Sequence, residues 1–258
     1  VDLPLGWHTD LAVLRLGGST FDERPDHVVV RTPGNPLYHW GNFVLVTDVR
    51  GGEDPAHWLA TFEREFPDAA HRAIGLTGEL GDEDAWRALD LTVEHDDVLA
   101  TTTCPQPTPL PGGYLVRQLT DASDWEQSTG LRIAEFAGES AHEAEFERRN
   151  TEDRAEMSAR GETAWFGAFE GDRLVAELGI VDCGKAVARY QSVVTGADHR
   201  RRGLAGHLLG VAAAWAADRD ARTWVIVADL GSDASRLYQS RGFEPADRGT
   251  RATRKPTG

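Results

Sequence analysis

Three adjacent arginines and a glycine, Arg200-Arg201-Arg202-Gly203, stand between a β-branched run and a long apolar-striped segment, and this junction constrains the fold more than any other stretch. Gln191-Ser192-Val193-Val194-Thr195 before it has strand character, and Gly203 to about Ala217 after it has helix character. A strand, a short turn and a helix N-terminus are expected. The first N–H groups of a helix lack partners and lie at the positive end of its dipole, so a glycine that permits close approach makes such a junction an anion cradle. The expected occupant carries phosphate.

At 258 residues, 40% apolar and 27% charged, the chain has a globular composition and room for two domains. Thr103-Cys104-Pro105-Gln106-Pro107-Thr108-Pro109-Leu110-Pro111-Gly112-Gly113 holds four prolines and two glycines. Proline fixes φ and donates no hydrogen bond, so residues 104–112 read as an extended linker between a first domain, 1–103, and a second, 113–258. Residues 1–112 carry 7 Arg and no Lys against 19 Asp and Glu, whereas the remainder carries 20 basic and 23 acidic residues. Such a first half repels a nucleic-acid backbone, and its acidity either keeps the surface soluble or attracts a cationic acceptor. Cys104 and Cys183 are far apart and in no metal spacing, so no metal is expected, a disulfide is poorly supported and a reducing compartment fits. The longest apolar run, Leu208 to Ala217, is too short to span a bilayer and no signal peptide precedes Val1, so a soluble, cytoplasmic protein without membrane contact is expected.

Beyond the linker, Tyr114 to Gln118 alternates like a strand, and Thr120 or Asp121 can cap a helix running through Trp125 and Leu131. Ala141 to Arg160 reads as a highly charged helix. Thr163 to Phe169, Arg173 to Val181 and Ala186 to Thr195 read as strands, the last two joined by the Asp182-Cys183-Gly184-Lys185 turn. Leu204, Leu208, Val211 and Trp215 would form the buried face of the next helix. A strand from Thr223 to Ala228, a helix from Asp233 to Arg241 stopped by Gly242, and a final strand starting near Gly242-Phe243 complete the order.

This order, β-α-α-β-β-β-α-β-α-β with the cradle between the fourth strand and the third helix, resembles the GNAT superfamily of N-acetyltransferases. Arg200, Gly203 and Ala205 match the family's central motif, and Leu237-Tyr238 followed by Gly242-Phe243 matches a second landmark. The resemblance covers residues 113–250. It implies an α/β fold with a mixed sheet, a GNAT domain preceded by a smaller, degenerate GNAT-like one. The degenerate copy is suggested by a shift of 152 positions, which lays Ala85-Trp86-Arg87-Ala88-Leu89-Asp90-Leu91 over Leu237 to Phe243 and Arg72 to Leu76 over Trp224 to Ala228. Asn42 to Thr47 followed by Pro55 to Phe66 repeats strand-then-helix. Between them Asp48-Val49-Arg50-Gly51-Gly52-Glu53-Asp54 has one arginine and three acids, so the first copy should bind no diphosphate.

The resemblance further implies an acyltransferase using acetyl-CoA as co-substrate and a small-molecule or peptide amine as acceptor. The CoA pyrophosphate would lie on Arg200, Arg201, Arg202, Gly203, Leu204 and Ala205, its pantetheine arm on the backbone of Val193, Val194 and Thr195, with Ser235 grouped among the cofactor contacts. Attack is direct in this family, so Cys183 is incidental. Tyr238 would protonate the departing thiolate, or else is a packing tyrosine, and a backbone N–H near Val193 would serve the acetyl oxygen. The chain departs from the family in lacking a carboxylate between Ala188 and Thr195; Glu177 on the neighbouring strand is the substitute base, unless it is a solvent-facing strand residue. Gly231 stands where Asn is frequent. Glu135, Glu139, His142 and Glu143 either receive a cationic acceptor, with Glu135 and His142 as its binding residues, or form a polar helix surface. The competing expectations are a non-catalytic acyl-CoA-binding regulatory or scaffold protein and an acyltransferase using a longer acyl-CoA.

Overall fold

Runs of β-branched residues and capped helical segments account for nearly every element of the chain. The computed structural model describes residues 3–48, 50–138 and 140–256. The first half contains α1 (Leu5–Leu16), β1 (Thr20–Glu23), β2 (His27–Arg31), β3 (Phe43–Val46), α2 (Pro55–Glu65), β4 (Arg72–Leu76), α3 (Glu83–Arg87) and β5 (Thr92–Thr101). The second contains β6 (Tyr114–Gln118), α4 (Ala122–Arg132), α5 (Ala141–Ala159), β7 (Thr163–Glu170), β8 (Arg173–Asp182) and β9 (Val187–Thr195). It continues with α6 (Leu204–Ala217), β10 (Thr223–Asp229), α7 (Asp233–Gln239) and β11 (Glu244–Arg254). Short 3₁₀ turns at Gly51–Glu53 and Ala197–His199 lead into α2 and α6, and a π-helical turn, Ile133–Ala137, prolongs α4.

The chain forms two compact units. The first comprises the chain up to Leu99 together with Val227–Arg236 and the stretch from Pro245 onward; the second comprises Ala100–Ile226 and Leu237–Glu244. The first unit thus takes in two stretches from beyond the linker, and residues 104–112 lie within the second. Strands of the first unit follow the order β1-β2-β3-β4-β11-β5, with β3 and β4 parallel and β4 and β11 antiparallel. Those of the second follow β10-β9-β8-β7-β6, antiparallel apart from the parallel β9–β10 pair. The expected α/β class with a mixed sheet is what the chain adopts.

The core of the first unit gathers Trp7, Phe43, Leu45, Phe62, Ile74 and Trp86. In the second unit α6 covers the sheet. Leu204 and Leu208 are buried as expected, but Val211 and Trp215 are only half-buried, and Leu209, Ala212, Ala213 and Ala216 complete the interior face. The single-stripe expectation fails because α6 is covered on more than one side: the linker packs on it at Gly210 and meets it again where Thr108 Oγ1 donates to the Gly203 carbonyl (3.4 Å).

The internal repeat has structural counterparts. Each half contains strand, 3₁₀ turn, helix, strand, helix and strand in that order, β3 to β5 in the first and β9 to β11 in the second. Asp90, 152 positions before Gly242, also has positive φ, +60° against +86°, and both residues end the short helix at equivalent places. Leu91 and Phe243, next in each copy, are both buried. The corresponding turn of the first copy is filled by the protein itself. Asp54 caps α2 by accepting the His57 N–H (3.0 Å), and Gly52 lies so close to the Glu79–Leu80 backbone that a Cβ would sit 2.1 Å from the Glu79 carbonyl oxygen.

Candidate active site

Strand β9 carries one residue more than its partner between two register points: Glu177 pairs with Val194, but Gly179 pairs with Gln191. Ser192 and Val193 together oppose Leu178, and Ser192 absorbs the bulge with φ +52°. A non-glycine residue there costs about 1 kcal/mol, a cost that other contacts must offset. Arg154 of α5 supplies one such contact, its Nη2 donating to Ser192 Oγ at 3.2 Å. On its other edge β9 pairs in parallel with β10 from Val187 to Arg189, the register ending there among the described residues of the second unit. An edge of β9 that is not paired along its whole length can accept an extended chain.

The turn after β9 has alternating backbone handedness. Arg200 is extended, Arg201 has φ +60° and Gly203 has φ +83° immediately before α6. Such alternation gathers successive N–H groups into a concave nest, and the N-cap Gly203 offers no side chain to satisfy the helix N–H groups that follow. The three arginine side chains do different work. Arg200 donates from Nε to the Thr195 carbonyl (3.0 Å) and from Nη2 to Glu135. Arg202 donates to Tyr114 Oη (2.7 Å) and to the Asp198 carbonyl (2.8 Å). Among the described residues Arg201 makes no side-chain bond and is exposed.

A fourth cation, not among the sequence-based expectations, stands beside these three. The guanidinium of Arg241 lies against the first turn of α6, 3.2–3.3 Å from the position a Cβ on Gly206 would take. A cation beside the positive end of a helix is unfavourable unless an anion lies nearby, so this placement matches the cradle's character. The signal was its position just before Gly242-Phe243 in the second landmark. Tyr238, three residues earlier, is 5% exposed, and burial pushes its phenol up to about 12. Its ring meets Phe243 edge-on, and Phe243 meets Tyr190 in the same way. Its hydroxyl therefore belongs to an interior aromatic cluster rather than to a solvent-facing side chain.

Glu177 is fully buried, not solvent-facing, and neither of its carboxylate oxygens accepts a hydrogen bond. Arg132 Nη1 stands 3.6 Å from Glu177 Oε1, while Arg132 Nε donates to Glu147 at 2.7 Å. Arg154 Nη1 lies 3.8 Å from Glu147. Glu177, Arg132, Glu147 and Arg154 thus form a buried ion chain ending at the bulge residue Ser192. Buried ion pairs contribute little net stability because desolvation offsets their attraction, but they fix geometry. Glu135 turns its carboxylate toward the cradle, accepting the Ala197 N–H (2.9 Å) and the Arg200 guanidinium, rather than leaving it open to an acceptor. His142 is exposed in the first turn of α5, and Glu139 lies outside the described residues. Ser235 is fully buried in the first unit, where its Oγ donates to Asp97 (2.6 Å). Val194 and Thr195 pair with Glu177 and Ala176 of β8.

A bulged strand, a nest and the helix it opens form one continuous stretch of chain. A family model described as Acetyltransferase (GNAT) family matches residues 125–243, which include all of them. Residues 125–243 thus carry the GNAT acetyltransferase pattern. The fold recurs in solved structures over both halves of the chain. A GCN5-related N-acetyltransferase from Kribbella flavida is similar at 15% identity and TM-score 0.66, covering 98% of this chain and 97% of that one. A GCN5-related N-acetyltransferase from Sphaerobacter thermophilus is similar at 17% identity and TM-score 0.62, covering 99% and 95%. A tandem GNAT protein from the clavulanic acid biosynthesis pathway is similar at 14% identity and TM-score 0.58, covering 99% and 98%. At these identities the likeness concerns the fold. No curated protein sequence matches the chain. Among the described residues no helix is long and apolar enough to cross a membrane, and no group of metal-binding side chains is found.

Proposed function

We propose that the protein is an N-acetyltransferase that transfers the acetyl group of acetyl-CoA directly to an amine of a small molecule or peptide. The observation that carries this reading is the Arg201–Gly203 nest that opens α6 directly after the bulged strand β9. An extended arm fits the edge of β9 beyond Arg189, and a diphosphate fits the nest. Arg201, Arg241 and the N–H groups from Arg201 to Ala205 are assigned to the diphosphate, and the backbone of Val193–Thr195 to the arm. The co-substrate supplies an activated acetyl thioester. Catalysis is assigned to residues 113–258 and no cofactor role to residues 1–103, where Asp54 already caps the corresponding helix.

An alkylamine with pKa near 10.4 is mostly protonated at neutral pH, at a cost of about 4–5 kcal/mol before it can attack, and an α-amine at about 8 costs about 1.4 kcal/mol. Glu177 is assigned the removal of that proton, because it is a buried carboxylate in the second unit with unused acceptor capacity at both oxygens. Tyr238 is assigned the proton donated to sulfur. With its pKa near 12 the phenol keeps its proton at every working pH. Complete transfer to a thiolate of pKa about 8.5 would be uphill by about 5 kcal/mol, so the proton must move as the carbon–sulfur bond breaks.

Free thiol released from acetyl-CoA, measured across a panel of alkylamines, amino acids and peptides, tests the reading. Release that depends on an amine is expected. CoA binding without any amine-dependent release would make the protein a binder and remove the enzymatic claim. Tyr238→Phe should lower turnover about 10²-fold with CoA affinity unchanged, and Glu177→Gln should lower turnover most at the acidic end of the pH profile. Normal rates in either variant would remove that residue from the mechanism.

A further inference from the structure

The π-helical turn Ile133–Ala137 turns its adjacent residues in opposite directions. The Glu135 side chain is 12% exposed and faces the β9–α6 turn, whereas Phe136 is 53% exposed. π-helical turns are uncommon and occur frequently at functional sites. This one ends at Gly138, whose φ of +52° demands glycine-like freedom. Glu135 closes on two groups of the cradle, the Ala197 N–H at 2.9 Å and the Arg200 guanidinium. Leu131 and Glu135 also approach Gly196, where a Cβ would stand 3.5 Å from Leu131 Cδ1 and 3.9 Å from Glu135 Oε1. Three residues before Glu135, Arg132 holds Glu147 and lies beside Glu177. One end of α4 therefore reaches both the buried carboxylate and the cradle.

We infer that Glu135 is a positioning residue that couples the cofactor cradle to the α4–α5 side of the site. Its carboxylate is an internal anion occupying groups that otherwise favour a diphosphate. A bound diphosphate either draws Arg200 away from Glu135 or tolerates a negative charge beside it, and both alternatives weaken binding. When Arg200 turns to the diphosphate, Glu135 loses its ion pair and the π-helical turn loses its anchor. The α4–α5 connection is then free to adjust around an acceptor, so the co-substrate prepares the site for the amine. Linkage makes this reciprocal: whatever the diphosphate gains on the second ligand, the second ligand gains on the diphosphate. The inference rests on the reading of the cradle as a CoA site.

Titration calorimetry with free CoA, in the absence of any amine, separates the two claims. Glu135→Gln keeps an oxygen for the Ala197 N–H and removes only the charge. It should bind CoA about three- to tenfold more tightly than the wild type at low salt, with the difference shrinking as salt rises. No CoA binding by folded wild-type protein would overturn the cofactor reading. CoA binding by the wild type with equal or weaker binding by Glu135→Gln would overturn the coupling alone. Hydrogen exchange on the wild-type chain keeps the inference testable if the variant folds poorly. CoA should speed exchange in Ile133–Ala137, and unchanged or slowed exchange there would refute release of the turn.

Discussion

Gly210→Ala sets two effects of opposite sign against each other. In an ordinary helix interior, alanine in place of glycine stabilises by about 1 kcal/mol. Here the linker crosses α6 at this glycine: a Cβ would lie 2.0 Å from Pro107 N, 2.3 Å from Pro107 Cα and 2.4 Å from the Gln106 carbonyl carbon. These are backbone atoms, so no side chain can swing aside and the linker itself must lift. Overpacking of this kind costs about 1–3 kcal/mol. Lifting also strains the bonds of Thr108 to His207 and to the Gly203 carbonyl, each worth about 1 kcal/mol. The net expectation is a loss of about 1–3 kcal/mol, which for a chain of this size lowers the melting temperature by roughly 3–10 °C. Thermal unfolding combined with limited proteolysis would measure it, and cleavage between Pro105 and Pro111 should accelerate. Gly206→Ala is the control, because its Cβ would meet only the mobile end of Arg241 at 3.2 Å and should leave stability near the wild-type value. A Gly210→Ala variant that melts at or above the wild-type temperature with an intact linker would refute the seating of residues 106–108 on α6.

Arg241→Ala should weaken CoA binding about three- to tenfold and reduce its salt dependence, measured by calorimetry at two ionic strengths; an unchanged affinity would place Arg241 outside the cradle. Acid should loosen the first unit through His71. Burial holds its imidazole below the ordinary value, with the neighbouring Arg72 acting in the same direction, while the ring bonds to the Asn42 carbonyl at 2.9 Å. The unfolded chain therefore binds a proton first as pH falls below about 6.5, and stability declines from there until His71 is itself protonated in the folded state. Melting temperatures from pH 7.5 to 5 should show this slope, and His71→Gln should flatten it; an equal slope in both proteins would assign the acid sensitivity elsewhere.

How much of this was legible before folding depends on what each residue does. The strand–turn–helix junction was readable because Gly203 is needed for its backbone and β9 and α6 declare themselves by period, so chain neighbours form it. Tyr238 was readable through its landmark, although its burial was not. The ion chain was hidden for a physical reason. Helix α5 buries Glu147, Thr151, Arg154 and Met157, a face of helical spacing that is mostly polar. By pattern alone that face is indistinguishable from a solvated one, since charge on a helix is read as exposure until something covers it. The same inversion hid Glu135, whose expected role was to face an acceptor and whose carboxylate faces the cradle instead. Ser192 was unreadable too, because a bulge depends on the register of two strands and leaves no mark on either alone. The parts that escaped are thus those where polar groups are satisfied by distant polar groups. In this fold they lie on the α4–α5 side, so the part of the second unit richest in buried charge is the part that sequence periodicity describes least.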